Sequence, residues 1–120
     1  MKKLRTVWFY DEVYRTNYMF LVGDCNQAVK YVKKNHKTTL AIGDQAEGKI
    51  WDCPGYGYYI WMRIFNYNPR YLGTLMHEIT HAVLWELERA GIKPHAENEP
   101  FTYYAEFIMR KFLELWNKKY

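Results

Sequence analysis

The sequence predicts an α+β domain, and three observations carry that reading. Aromatic and β-branched runs dominate the chain before Asn66. After Pro69 the period of the apolar residues changes from 2 to 3.6, so strands and helices segregate along the chain instead of alternating. The third observation is size: 120 residues, 49% of them apolar and 25% charged, amount to one domain able to bury its own core. The expectation is a single domain over residues 1–120, with a small, mostly antiparallel sheet, an N-terminal helix, a central helix and a C-terminal helix.

Each element has its own signal. Thr6 to Tyr10 and Tyr18 to Val22 read as strands. Asp24 as N-cap and Gln27 three residues later form a capping box, and Ala28, Val29 and Val32 follow at helical spacing, which predicts a helix over about 25–35. Thr38 to Ile42 reads as a strand, Glu47-Gly48 as turn chemistry, and Lys49 to Trp51 as a short strand. Pro54-Gly55-Tyr56-Gly57 is a turn, and Tyr58 to Phe65 is the strongest strand signal in the chain. Leu72, Leu75, Ile79, Val83 and Leu87 then recur at helical spacing up to Gly91, a C-terminal cap, predicting a long helix over about 70–90. A loop containing Pro94 leads to a last helix that starts near Glu99-Pro100. Phe101, Tyr104, Ile108, Phe112 and Leu115 carry its apolar stripe to near Asn117.

Composition excludes several function classes. The net charge of +4 is spread along the chain without the basic stripe of a nucleic-acid binder, so no nucleic-acid partner is expected. No apolar run approaches the roughly 18 residues of a membrane span. Asp11, Glu12 and Arg15 interrupt anything resembling an export signal, so no membrane partner and a cytoplasmic location are expected. Cys25 and Cys53 are too few for a disulfide framework and read as reduced thiols. Aromatic residues make up 19% of the chain, and in so small a domain they are expected to build the core.

The chemistry concentrates in His77-Glu78-Ile79-Thr80-His81, an HExxH motif inside the predicted long helix. Positions four apart share a helical face, so both imidazoles can point at one cation, while Glu78, about 100° round, reaches a water on that cation without ligating it. Chance supplies about 0.01 such matches in a chain of this composition, which favours a metal over two core histidines. Leu75, Ile79 and Val83 lie on the opposite side and are expected to pack the core, with Leu84 and Trp85 walling the site.

A catalytic zinc keeps three protein ligands and an open position. The metzincin extension fails, because positions 84 and 87 are both Leu, and no Asp follows Asp52. That leaves Glu97, Glu99, Glu106, Glu114 and His95 downstream. HExxH sits about 15 Å along its helix before Gly91, so the ligand should lie a similar climb into the returning chain. Glu99, Tyr103 and Glu106 share one face of the last helix; Glu99 is the preferred ligand, Tyr103 a hydrogen-bond donor to substrate, and Glu97 and Glu106 are alternatives. His95 and Glu106 could also supply a fourth ligand to a closed, structural site. His36 reads as a helix-end residue meeting the dipole.

The stretch His77-Glu-Ile-Thr-His-Ala-Val, followed by Glu97-Asn-Glu-Pro-Phe-Thr-Tyr-Tyr-Ala, resembles the small zincin-like metallopeptidases of phage and prophage genomes. The tail is also similar to the ExxAxxFA segment of ImmA/IrrE-type proteases, a comparison that selects Glu97 as third ligand where the first selects Glu99. The resemblance implies a minimal zincin fold of the gluzincin type: a small twisted sheet beside the HExxH helix, with Tyr58–Phe65 or Lys49–Trp51 as the strand edging the cleft. It further implies one Zn²⁺ per chain and a peptide or protein substrate. On this reading Glu78 is the general base and acid of peptide-bond hydrolysis. The alternative is a non-catalytic zinc-binding domain serving phage assembly or a regulatory interaction.

Overall fold

The computed structural model describes residues 3–36, 39, 41–43, 46–93 and 98–118. It is an α+β structure of four strands and three helices: β1 (Arg5–Asp11), β2 (Thr16–Val22), α1 (Cys25–His36), β3 (Gly48–Cys53), β4 (Gly57–Met62), α2 (Pro69–Arg89) and α3 (Asn98–Trp116). The sheet order is β1-β2-β4-β3. The β1–β2 and β3–β4 pairs are antiparallel and β2–β4 is parallel, so the sheet is mixed.

Alternation along the central strands divides the core in two. Tyr18, Phe20, Tyr58, Ile60 and Met62 point to the face that meets α2 and α3, where Leu75, Ile79, Val83, Ile108 and Phe112 are buried. Met19, Leu21, Tyr59 and Trp61 point to the other face and meet Ala28 and Val32 of α1. Both faces of β2 and β4 are therefore covered, and each strand reads as a continuous apolar run. The aromatic residues act as core: Phe20 and Phe65 pack on Phe112, and Tyr18 stacks between Phe9 and Tyr58.

Helix ends follow local chemistry. The Gln27 N–H donates to Asp24 Oδ2 at 3.2 Å, the backbone half of the predicted box. The long helix α2 starts with Pro69 in its first turn and Asn68 as N-cap, whose side chain accepts from the Arg70 N–H. It ends in a Schellman arrangement: Gly91 N–H donates to Glu88 O and Ile92 N–H to Leu87 O.

Two expectations are corrected. Of the expected strand Thr38–Ile42, residues 39, 41 and 42 lie in no strand, and 38 and 40 lie outside the described residues. β2 pairs directly with β4, and Ile42 packs on the α1 side of the sheet. The strand at Tyr58 stops at Met62, and Phe65 reaches the core from beyond it. No described helix is long and apolar enough to cross a membrane.

Candidate metal centre

The site begins with the frame of α2. Its core stripe, Leu75, Ile79, Val83 and Leu87, is fully buried, which fixes the rotation of the helix. Gly73, His77, His81 and Trp85 are then set in a row on the outward side, at successive steps of four residues. His77 is exposed and His81 half-buried. Their Nε2 atoms stand 3.3 Å apart, with the rings at 84°. Two nitrogens bound at about 2.0–2.1 Å to one tetrahedral ion are separated by about 3.3–3.4 Å. The pair has the spacing of two ligands to one ion, which without an ion is also that of one ring N–H donating to the other.

Glu78 projects to the inner edge of that row. It is 5% exposed, and among the described residues no donor hydrogen-bonds its carboxylate. Burial pushes its pKa above the usual carboxylate range, against the pull of His77, His81 and Lys49. Its oxygens are not among the sealed polar atoms left without a partner: the carboxylate lines a cavity with Gly48, Thr74 and His77, from which a ligand or solvent can reach it. His77, Glu78 and His81 have ligand atoms within 4.8 Å of one another and together form a group that could hold a metal ion.

The wall opposite Glu78 is the start of β3. A Cβ on Gly48 would lie 2.9 Å from Thr74 Cγ2 and 3.2 Å from Glu78 Oε2, so only glycine lets the strand approach the helix this closely. β3 is an edge strand, paired on one side to β4. Of the two candidates for the cleft edge, the position belongs to the strand containing Lys49–Trp51. The Tyr58 strand is central, because its apolar run is covered on both faces.

The remaining candidates are placed as follows. Glu99 lies exposed in the first turn of α3, outside the His-Glu-His group, and pairs with no described cation. Glu106 is exposed, pairs with Arg110 on its own helix and also stands outside the group. Glu97 and His95 lie outside the described residues. Tyr103 is 66% exposed and lines a cavity with Val13, Tyr14 and Phe107 against the β1–β2 turn; it is not among the residues beside the histidines. Its neighbour Tyr104 is buried, donating to Asp11 at 2.6 Å.

Sequence reasoning missed Gly48, since a glycine after a turn residue signals only a turn. It also missed the function of Glu86, which is 3% exposed below the site. That carboxylate accepts from Thr16 Oγ1 at 2.7 Å and Tyr58 OH at 2.9 Å, and pairs with Arg89. It ties the end of α2 to β2 and β4, and with them the rotation of the helix. Trp85 packs on His81 with ring centres 5.9 Å apart, as a wall of the site. The helix face bearing the histidines is open, however: Met76, Leu84 and Trp85 are each exposed beside them.

Comparison with known proteins finds no matching family model, no matching curated protein and no matching solved structure.

Proposed function

We propose that this chain is a zinc-dependent metallopeptidase of the small, phage-type zincin kind, acting on a peptide or protein in the cytoplasm. One observation carries the reading: two imidazole nitrogens at ligand spacing beside a carboxylate to which no described residue donates, with the start of edge strand β3 against that carboxylate. His77 and His81 would hold the ion. Glu99 is kept as the preferred third ligand, with Glu106 and Glu97 as alternatives; Glu99 and Glu106 stand outside the His77-Glu78-His81 group, so either would have to approach it when an ion binds. The two free thiols, Cys25 and Cys53, suit a reducing compartment.

When bound, zinc supplies an acidified water and polarises a carbonyl. The chain's own residues do the rest. Glu78, whose carboxylate stands beside both imidazoles, takes a proton from the attacking water. Water oxygen adds to the carbonyl carbon, the C–N bond breaks, and Glu78 returns the proton to the departing nitrogen. The outer edge of β3, unpaired among the described residues, offers backbone groups to align an extended peptide beside the helix. Trp85 and Leu84 supply apolar wall on the outer side.

The first test is the metal content of protein purified without chelator. About one zinc per chain, lost in the His77→Ala variant, is the expected result. Glu78→Gln should keep the zinc and lower peptide hydrolysis by about 10²- to 10⁴-fold. Absence of zinc, together with no rise in melting temperature when zinc is added, would sink the reading. Zinc bound with no turnover, and equal behaviour of the Gln variant, would favour a structural zinc domain.

A further inference from the structure

We propose that the space in front of Gly73 is a pocket for a substrate side chain, that Gly73 is the residue keeping it open, and that the side chain it takes is long, uncharged and amide-ended. The inference rests on the metallopeptidase reading, whose His77 and Glu78 form the inner wall of this pocket. A cavity of about 440 Å³ adjoins them on the N-terminal side of the histidine pair, bounded by Gly48 and Glu47 across from Arg70 and Gly73.

Glycine is an unfavourable choice at position 73. It stands inside α2, where it weakens a helix relative to alanine. Packing does not require it: a Cβ there would meet no atom within 4 Å, in contrast to Gly48, where three atoms crowd the same position. The backbone is helical, so no unusual dihedral requires it either. What its side chain would occupy is the cavity itself. Helical side chains lean toward the N-terminus, which from position 73 is toward Arg70, on the same lining. The first histidine follows one turn later in the same row, so the space lies beside the reacting group.

The rim gives the chemical class. Arg70 and Glu47 pair across it, both substantially exposed. A guanidinium has five donors and a carboxylate about four acceptor positions, so among the described residues this pair leaves both donors and acceptors over at the mouth. A terminal amide complements both at once without adding net charge. Glutamine is the side chain of this kind with the reach to extend from a backbone aligned on β3.

The test compares zinc-loaded wild type, Gly73→Ala and Gly73→Leu against three zinc-chelating probes: acetohydroxamate, N-acetylglycyl hydroxamate and N-acetylglutaminyl hydroxamate. Wild type should bind the glutaminyl probe about tenfold or more tightly than the glycyl probe. Gly73→Leu should lose that preference while retaining zinc and acetohydroxamate binding. Gly73→Ala should melt at a higher temperature than wild type, since the helix gains and no packing is lost. Equal binding of the two probes by wild type, or a preference that survives in Gly73→Leu, would overturn the assignment. Protein that takes up no zinc overturns the metallopeptidase reading and the pocket with it, and metal analysis alone separates that failure from the others.

Discussion

At the scale of single residues, the site is defined by which carboxylates carry partners and which do not. Glu86 is buried and receives Thr16, Tyr58 and Arg89; Glu106 and Glu47 each hold an arginine; Glu78 is buried and receives nothing from the described chain. Burial raises the pKa of Glu78, and His77, His81 and Lys49 pull against that rise. The third ligand is open to the same style of test. Glu97→Gln, Glu99→Gln and Glu106→Gln, titrated with zinc, should give one variant whose affinity falls by more than the roughly 10- to 100-fold that a change beyond the ligands themselves produces. Glu99→Gln is expected to be that variant. If all three bind zinc like wild type, no glutamate of this segment is a ligand.

At the scale of elements, α2 carries the site, and its own ends and core stripe decide where the histidines point. The N-cap Asn68, Pro69 behind it, and the Schellman closure at Gly91 confine the helix to one length. Removing the cap with Asn68→Ala should lower stability by about 1 kcal/mol, read from chemical denaturation, while leaving zinc affinity within about twofold. The cap lies more than two turns before His77, and the buried stripe between them keeps the helix in register. A large loss of zinc affinity in this variant would show that the site depends on the first turn and not on the core stripe. β3 is the second element that matters. It begins at Gly48 because a bare backbone is needed where strand and helix come closest, so the same residue starts the strand and leaves room for the Glu78 carboxylate.

At the scale of the whole molecule, the aromatic content becomes a pH limit. Tyr18, Tyr58, Tyr59 and Tyr104 are held well above the ordinary tyrosine range, and Tyr56 is pushed up to about 12, burial being the largest cause for each. Their folded pKa values are raised, so the stability they confer is fully present below the unfolded value of about 10. Above it the unfolded chain sheds protons that the folded chain retains, and each tyrosine costs about 1.4 kcal/mol per pH unit. Five such groups exhaust the usual 5–15 kcal/mol of a domain within about one to two pH units. Cooperative alkaline unfolding is therefore expected between about pH 11 and 12, with far-ultraviolet circular dichroism and tyrosinate absorbance changing together. Free titration of these tyrosines near pH 10 with the fold intact would contradict it.

Much of this protein is readable from its residues in order. Helix periodicity, the caps at Asp24 and Gly91, and the i, i+4 spacing of His77 and His81 are properties of consecutive residues, so the three helices and the histidine pair were legible without any knowledge of the fold. The α+β class followed from the change of period after Pro69 for the same reason. What the chain order does not contain is adjacency between distant segments. Strand order decided that Lys49–Trp51 is the edge and Tyr58 is central, and residues 39, 41 and 42 of the Thr38–Ile42 run lie in no strand. Tertiary approach decided that Gly48 meets Glu78, that Glu86 is a buried clasp, and that Tyr103 turns to the β1–β2 turn while Tyr104 enters the core. Local pattern sets the conformation of a segment, because its hydrogen bonds are internal. Which groups meet across segments is set by packing the faces of several elements at once, and that information is distributed over the whole chain.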